Sequence, residues 1–158
     1  MKILQAFNWT RVGIVSDSTE VYISIANRLF TKLQKWNSTV VYYKTKSTES
    51  QSYVNNEALV HFKHIVKALK KQVCVIICFL SEKDILKMLQ IAEEEKMLER
   101  YVFLVSNIQI IQFDTMSNGM FILQLSLNAW NESRHNFRAE VIKVLKILFS
   151  KRCLDFPN

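Results

Sequence analysis

Val73-Cys74-Val75-Ile76-Ile77-Cys78-Phe79-Leu80 is the longest apolar run in the chain. It has the length of a strand and falls well short of the roughly 20 residues that a membrane helix needs. A strand that is apolar at every position has both faces buried, the condition of a central strand in a parallel sheet covered by helices. The run therefore predicts a central strand over Val73–Phe79, and the flanking segments can be read outward from it.

Downstream, Ser81 and Asp84 form a helix-starting pair, and Ile85, Met88, Leu89 and Ala92 recur at helical spacing. Tyr101–Val105 (YVFLV) predicts a fourth strand and Gly119–Leu127 (GMFILQLSL) a fifth. A last helix is expected over Arg134–Ser150, with Phe137, Val141, Val144, Leu145 and Leu148 on one side. Upstream, Lys63, Lys67, Lys70 and Lys71 interleave with Leu59, Phe62, Ile65, Val66 and Leu69, which predicts an amphipathic helix over Glu57–Lys71 with a wet basic face. Ser47–Asn56 reads as a polar loop, Thr39–Lys44 (TVVYYK) as the second strand and Arg11–Ser16 (RVGIVS) as the first. Between these two strands, Asp17 with Glu20 resembles a capping box. Val21, Ile25, Leu29, Leu33 and Trp36 then mark the buried side of a helix reaching Lys35.

Strands alternating with helices of this length imply an α/β fold, with a doubly wound, mostly parallel sheet in three layers. The expected strand order is 2-1-3-4-5, and the whole chain, residues 1–158, forms a single unit. In such a sheet ligands meet the loops at the strand carboxyl ends. This makes Ser16, Asp17, Ser18, Ser81 and Asn107 the candidate ligand-facing residues. Asp17 has a second reading, as a helix cap.

The chain has 158 residues and a formal charge of +7. A positive balance of this kind raises nucleic acid or an anionic membrane as partners. The basic residues are spread along the chain, however, and the densest run is explained as a solvated helix face, so no nucleic-acid partner is expected. Phosphate-cradling loops lean on glycine. The two glycines, Gly13 and Gly119, and the single proline, Pro157, count against a nucleotide-binding enzyme. No GxGxxG, GxxxxGK[ST], GxSxG or HExxH pattern is present, so no catalytic residue, metal or cofactor is expected. His61 and His64 lie three apart on the basic helix without a third ligand nearby, and read as exposed. Glu93, Glu94 and Glu95 read as a solvated helix end. On one strand, Cys74 and Cys78 would share a face about 13 Å apart, too far to bridge each other. Both are expected to be buried free thiols, with Cys153 left to pair with a cysteine outside the chain.

Asn8-Trp9-Thr10, Asn37-Ser38-Thr39 and Asn131-Glu132-Ser133 are N-x-[ST] acceptors, which makes Asn8, Asn37 and Asn131 candidate glycosylation sites. Such triplets arise by chance, but three at element boundaries favour a secretory-pathway protein.

Phe7-Asn8-Trp9-Thr10-Arg11-Val12-Gly13-Ile14-Val15 resembles the F-x-W-x-x-V-(A/G)-(I/L)-(I/L/V) opening of the second lobe in the receptor ligand-binding family. Asp84–Ala92 is similar to that family's D-(I/L)-x-x-(I/L/M)-L-x-x-A helix, Tyr101–Leu104 to its Y-V-(F/W)-(I/L) strand, and Phe137–Val141 to the F-x-x-x-V helix of receptor guanylyl cyclase lobes. The order and spacing of these soft patterns carry the resemblance over roughly Ala6–Phe156. It implies one lobe of a type I periplasmic-binding-like clamshell with flavodoxin-like strand order, most like the second lobe of a receptor guanylyl cyclase ectodomain. The implied partners are an extracellular peptide or small-molecule ligand, the first lobe of the same receptor and, in the full receptor, a second copy. The implied location is the extracellular face of the plasma membrane. The chain shows no signal peptide, membrane helix or cyclase domain, as expected of an internal fragment, and alone it should self-associate through its uncovered face. Two other readings stand beside this one: an amino-acid-sensing lobe, which needs Ser/Thr groups clustered with an acidic residue, and a cytosolic flavodoxin-like enzyme or switch.

Overall fold

The computed structural model describes residues 4–5, 7–36, 38–45, 56–98, 100–105 and 122–124. In it the central apolar run becomes β3 (Val75–Phe79), buried at every position. Around β3 the chain builds β1 (Arg11–Ser16), α1 (Glu20–Gln34), β2 (Thr39–Lys44), α2 (Asn56–Gln72), α3 (Glu82–Glu94), β4 (Val102–Val105) and β5 (Ile122–Gln124). All strand pairs are parallel, in the order β2-β1-β3-β4-β5. The expected class and strand order both hold. The predicted polar loop, apart from Asn56, and the last helix lie outside the described residues, as does most of the long fifth strand.

Alternation along each strand divides the core in two. Val12, Ile14, Val75, Ile77, Phe79, Val102 and Leu104 face α1, together with Leu4 and Trp9 from the segment before β1. Val15, Ile76, Cys78, Phe103 and Val105 face α2 and α3. The register sets Val41, Gly13, Ile76, Phe103 and Ile122 side by side across the sheet. A Cβ at Gly13 in this row would come within 2.5 Å of the Leu69 side chain and 3.1 Å of that of Val73, so these buried neighbours would have to shift. The family pattern admits alanine at this position, whereas the packing here resists it. Gly13→Ala should therefore destabilise the fold by about 1–3 kcal/mol through overpacking. A urea melt checks this, and an unchanged midpoint would mean that α2 shifts without cost.

The first turns of α1 and α2 differ from expectation. Val21 was assigned to the core side of α1 but is 62% exposed, and the buried residues are Ala26 and Leu33, flanked by Tyr22, Ile25, Leu29 and Phe30. Leu59 of α2 is likewise exposed, next to Val60. Both helices begin beyond the carboxyl ends of the strands, so their first turns have no sheet beneath them. The Asp17–Glu20 capping box does not form either. Thr19 is the N-cap residue and makes no side-chain cap bond. Asp17 sits two residues ahead of it, and its Oδ1 accepts the Thr19 N–H at 2.7 Å. The Ser81–Asp84 pair does form, with Ser81 Oγ accepting the Asp84 N–H at 3.3 Å.

Two segments that read as separate solvated faces meet each other. Lys63 pairs with Glu94, and Lys67 and Lys70 pair with Glu95, at 3.7, 3.7 and 3.2 Å. Lys70 Nζ also donates to the Glu95 carbonyl at 2.7 Å. The end of α3 is shaped for this contact. The Met97 N–H bonds the Ala92 carbonyl and the Lys96 N–H bonds the Glu93 carbonyl, with Lys96 at φ 56°. This is a Schellman termination that buries Met97. On the other side of Lys70, the Tyr101 hydroxyl donates to the Lys70 carbonyl near the end of α2.

The Lys70 hydrogen bond holds the Glu95 carboxyl below its ordinary value of 4.5. A lowered folded-state value stabilises the fold above the unfolded value, and the gain is lost as pH falls through the folded one. Glu95→Gln should therefore melt below wild type at neutral pH and coincide with it in acid. Equal melting at neutral pH would show that the contact carries no stability, which is common for exposed pairs.

The cysteines separate. Cys74 is a bend residue just ahead of β3, and it joins the α1 side of the core, opposite to Cys78. Cys78 is a buried thiol outside any disulfide, as expected, and burial pushes its pKa up to about 12. Cys74 departs from expectation because it is disulfide-bonded. The bend removes it from the strand's alternation and turns it to the other face, which a reading of the whole run as one strand could not anticipate. Its partner lies outside the described residues.

Candidate functional site

A buried polar group needs a hydrogen-bond partner or it costs stability, so the location of such groups is informative. Among the described residues, the buried polar and charged ones are Ser16, Asp17, Thr45, Ser81 and Asp84. All five lie at one end of the sheet, where β1, β2 and β3 run out and α3 begins.

Backbone bonds draw the loops at this end together. The Asp17 N–H bonds the Phe79 carbonyl at 3.0 Å, and the Thr45 N–H bonds the Ser16 carbonyl at 2.8 Å. Asp17 thus stands between the ends of β1 and β3, at the point where the strand order reverses. This is the position at which doubly wound sheets open a crevice for ligands. Ser16 Oγ and the Tyr42 hydroxyl share a hydrogen bond of 2.8 Å across β1 and β2. Ser81 Oγ donates to Asp84 Oδ2 at 3.1 Å, and Lys87 Nζ lies 3.7 Å from Asp84 Oδ1. The group offers hydroxyls and carboxylates, held on strand ends and a helix start.

Ser16, Asp17 and Ser81 of the sequence-derived candidates are brought together here, and all three are buried. Ser18 sits beside them and is exposed. Asn107 lies outside the described residues. Two members were missed, Thr45 and Asp84. Thr45 follows the second strand, so the rule that singled out the ends of strands one and three would have found it. Asp84 was read only as the partner of Ser81. Among the described residues the exposed large apolar side chains are Val21 in the first turn of α1, Leu59 and Val60 near the start of α2, and Leu86 in α3.

The opposite end of the sheet holds a different feature. A pocket of about 260 Å³ is lined by Leu4, Asn8, Trp9, Thr10, Trp36 and Ser38, among others, just ahead of β1 and β2. His61 and His64 are exposed on α2, and the described residues contain no cluster of His, Cys, Asp and Glu fit for a metal. No described helix is long and apolar enough to cross a membrane.

The model of the receptor family ligand binding region matches residues 1–147. The chain belongs to that family. The match spans the sheet, its three described helices and the polar edge, so the receptor ligand-binding region and its periplasmic-binding-like lobe are one and the same body here. Among curated proteins, no relative matches the chain.

Proposed function

We propose that this receptor ligand-binding region is the second lobe of an extracellular clamshell, in a transmembrane receptor of the guanylyl cyclase type. The carboxyl edge of the sheet would face both the ligand and the first lobe. The observation that carries the reading is the gathering of the described buried polar side chains at the switch point between β1 and β3. The exposed Val21 and Leu59, near the helix starts that follow β1 and β2, suit a surface that another lobe covers. The Cys74 disulfide supports an oxidising compartment, where such bonds persist, and the acceptor triplets at Asn8, Asn37 and Asn131 agree with it. The cyclase assignment rests on the resemblance of Phe7–Val15 and Phe137–Val141. In this role, ligand closure or dimer rearrangement passes a conformational change through the membrane.

A second reading draws on the same edge. Hydroxyls at Ser16, Thr45 and Ser81 beside the Asp17 carboxylate are the combination that an amino-acid-sensing lobe requires.

The test uses animal cells expressing the complete transcript. Membrane-impermeant biotin should label the protein at the surface, and a pool of secreted peptides should raise cyclic GMP. Free L-amino acids raising calcium without cyclic GMP would favour the second reading, and an unlabelled protein would defeat both. Asp17→Asn refines the result, because its side-chain carbonyl still accepts the Thr19 N–H while the charge is gone. A site role predicts about a tenfold or greater loss of sensitivity, equivalent to about 1.4 kcal/mol, with an unchanged melting temperature. An unchanged response would leave Asp17 as a turn residue.

A further inference from the structure

We propose that Asn8 is an N-glycosylation site whose first sugar, an N-acetylglucosamine, seats in the pocket at the amino edge of the sheet, against Trp36. The inference rests on the extracellular reading above and goes beyond it by naming the residue, the sugar and its seat.

Asn8 is exposed, and so is Thr10, which carries the hydroxyl that the acceptor triplet needs. The turn that presents them is well held. The Asn8 N–H bonds the Gln5 carbonyl at 3.0 Å, and the Trp9 N–H bonds the Leu4 carbonyl at 2.9 Å. Phe7 stacks on the buried Trp9 with ring centroids 4.5 Å apart. Asn8 itself stands at φ 53°, a left-handed conformation that asparagine adopts more readily than most residues.

The pocket and the acceptor are one structure, since Asn8 and Thr10 form part of the wall. A sugar attached at Asn8 starts beside the pocket. The lining residues carry no charged side chain, so the pocket suits a neutral ligand rather than an ion. Trp36 is half-buried and offers a large apolar ring with a polar edge, a surface on which the C–H face of a pyranose packs. Attachment joins the Asn8 amide nitrogen to the anomeric carbon of a lipid-pyrophosphate-linked oligosaccharide. The bond from that carbon to the pyrophosphate oxygen breaks, the lipid pyrophosphate leaves with the electron pair, and the amide proton passes to a base of the transferase.

The chain is secreted from animal cells behind an added signal sequence, and its glycopeptides are mapped by mass spectrometry. Asn8 should carry the glycan. An endoglycosidase that leaves one N-acetylglucosamine should preserve both the melting temperature and the tryptophan emission. Asn8→Asp and Thr10→Ala, which remove the site, should each melt several degrees lower and emit further to the red. Trp36→Ala should keep the sugar but abolish the difference between trimmed and sugar-free protein. A secreted chain modified at Asn37 or Asn131 but not at Asn8 overturns the proposal and leaves the extracellular reading intact. So does a modified Asn8 whose loss changes neither melting nor emission, since the sugar then stands in solvent. A secreted chain with no sugar at any acceptor also overturns it, while the extracellular reading is judged separately by surface labelling of the native protein.

Discussion

Phe103→Ala is expected to lower the stability of the lobe by about 3–5 kcal/mol, as loss of a buried phenylalanine does when the surroundings cannot collapse. Domains of this kind have only about 5–15 kcal/mol in total, so much of the margin disappears. Phe103 is 1% exposed and stands in the sheet row with Gly13 and Ile76 on the side covered by α2 and α3. Backbone pairing on both flanks of β4 keeps neighbouring strands from closing the gap. Phe103→Leu should lose less than about 1.5 kcal/mol, because most of the volume stays. Chemical denaturation of the two variants beside wild type makes the comparison. If the alanine variant lost no more than the leucine variant, the close packing described for this face would be wrong.

Loss of the Cys74 bridge should be nearly as costly. Cys74→Ala is expected to destabilise by about 2–5 kcal/mol, chiefly by freeing the unfolded chain. Cys74 lies where the sheet begins, with its N–H on the Arg11 carbonyl at 3.2 Å and its own carbonyl accepting the Val102 N–H at 3.0 Å. The bond therefore anchors three strands at their amino ends. Dithiothreitol should lower the melting temperature of wild type and leave Cys74→Ala unmoved. Peptide mapping without reductant should recover Cys74 in a cross-linked fragment. Free Cys74 in the secreted protein would remove one of the two supports for an oxidising compartment. Cys78 should stay unreactive towards thiol reagents throughout, since burial keeps it in the thiol form.

The elements themselves were legible because each was written in a local pattern. Val75–Phe79 is apolar at all positions, Ile85–Ala92 repeats at helical spacing, and Ser81 with Asp84 marks a start that the structure reproduces. Exposure at the helix ends was not legible in this way. Val21 and Leu59 obey the helical period of the core side, but period describes direction around a helix and not where the sheet stops. The candidate site was legible in part for the same reason. Topology points to the carboxyl ends of the strands, and Ser16, Asp17 and Ser81 followed from it.

Alternation, spacing and capping signals are properties of neighbours along the chain. They were sufficient for the α/β class, and the general rule for doubly wound sheets then supplied the strand order β2-β1-β3-β4-β5 and the end of the sheet at which to look. What they could not supply was contact between distant segments. The lysines of α2 and the glutamates at the end of α3 each looked like a face turned to water, and only packing of one helix on the other made them partners. The bend at Cys74 sent one cysteine to each side of the sheet. Thr45 and Asp84 joined the polar edge because the chain crosses over twice and three strands end at the same place. Each of these depends on distances across the fold, which arise only when the hydrophobic layers close and bring remote side chains into reach.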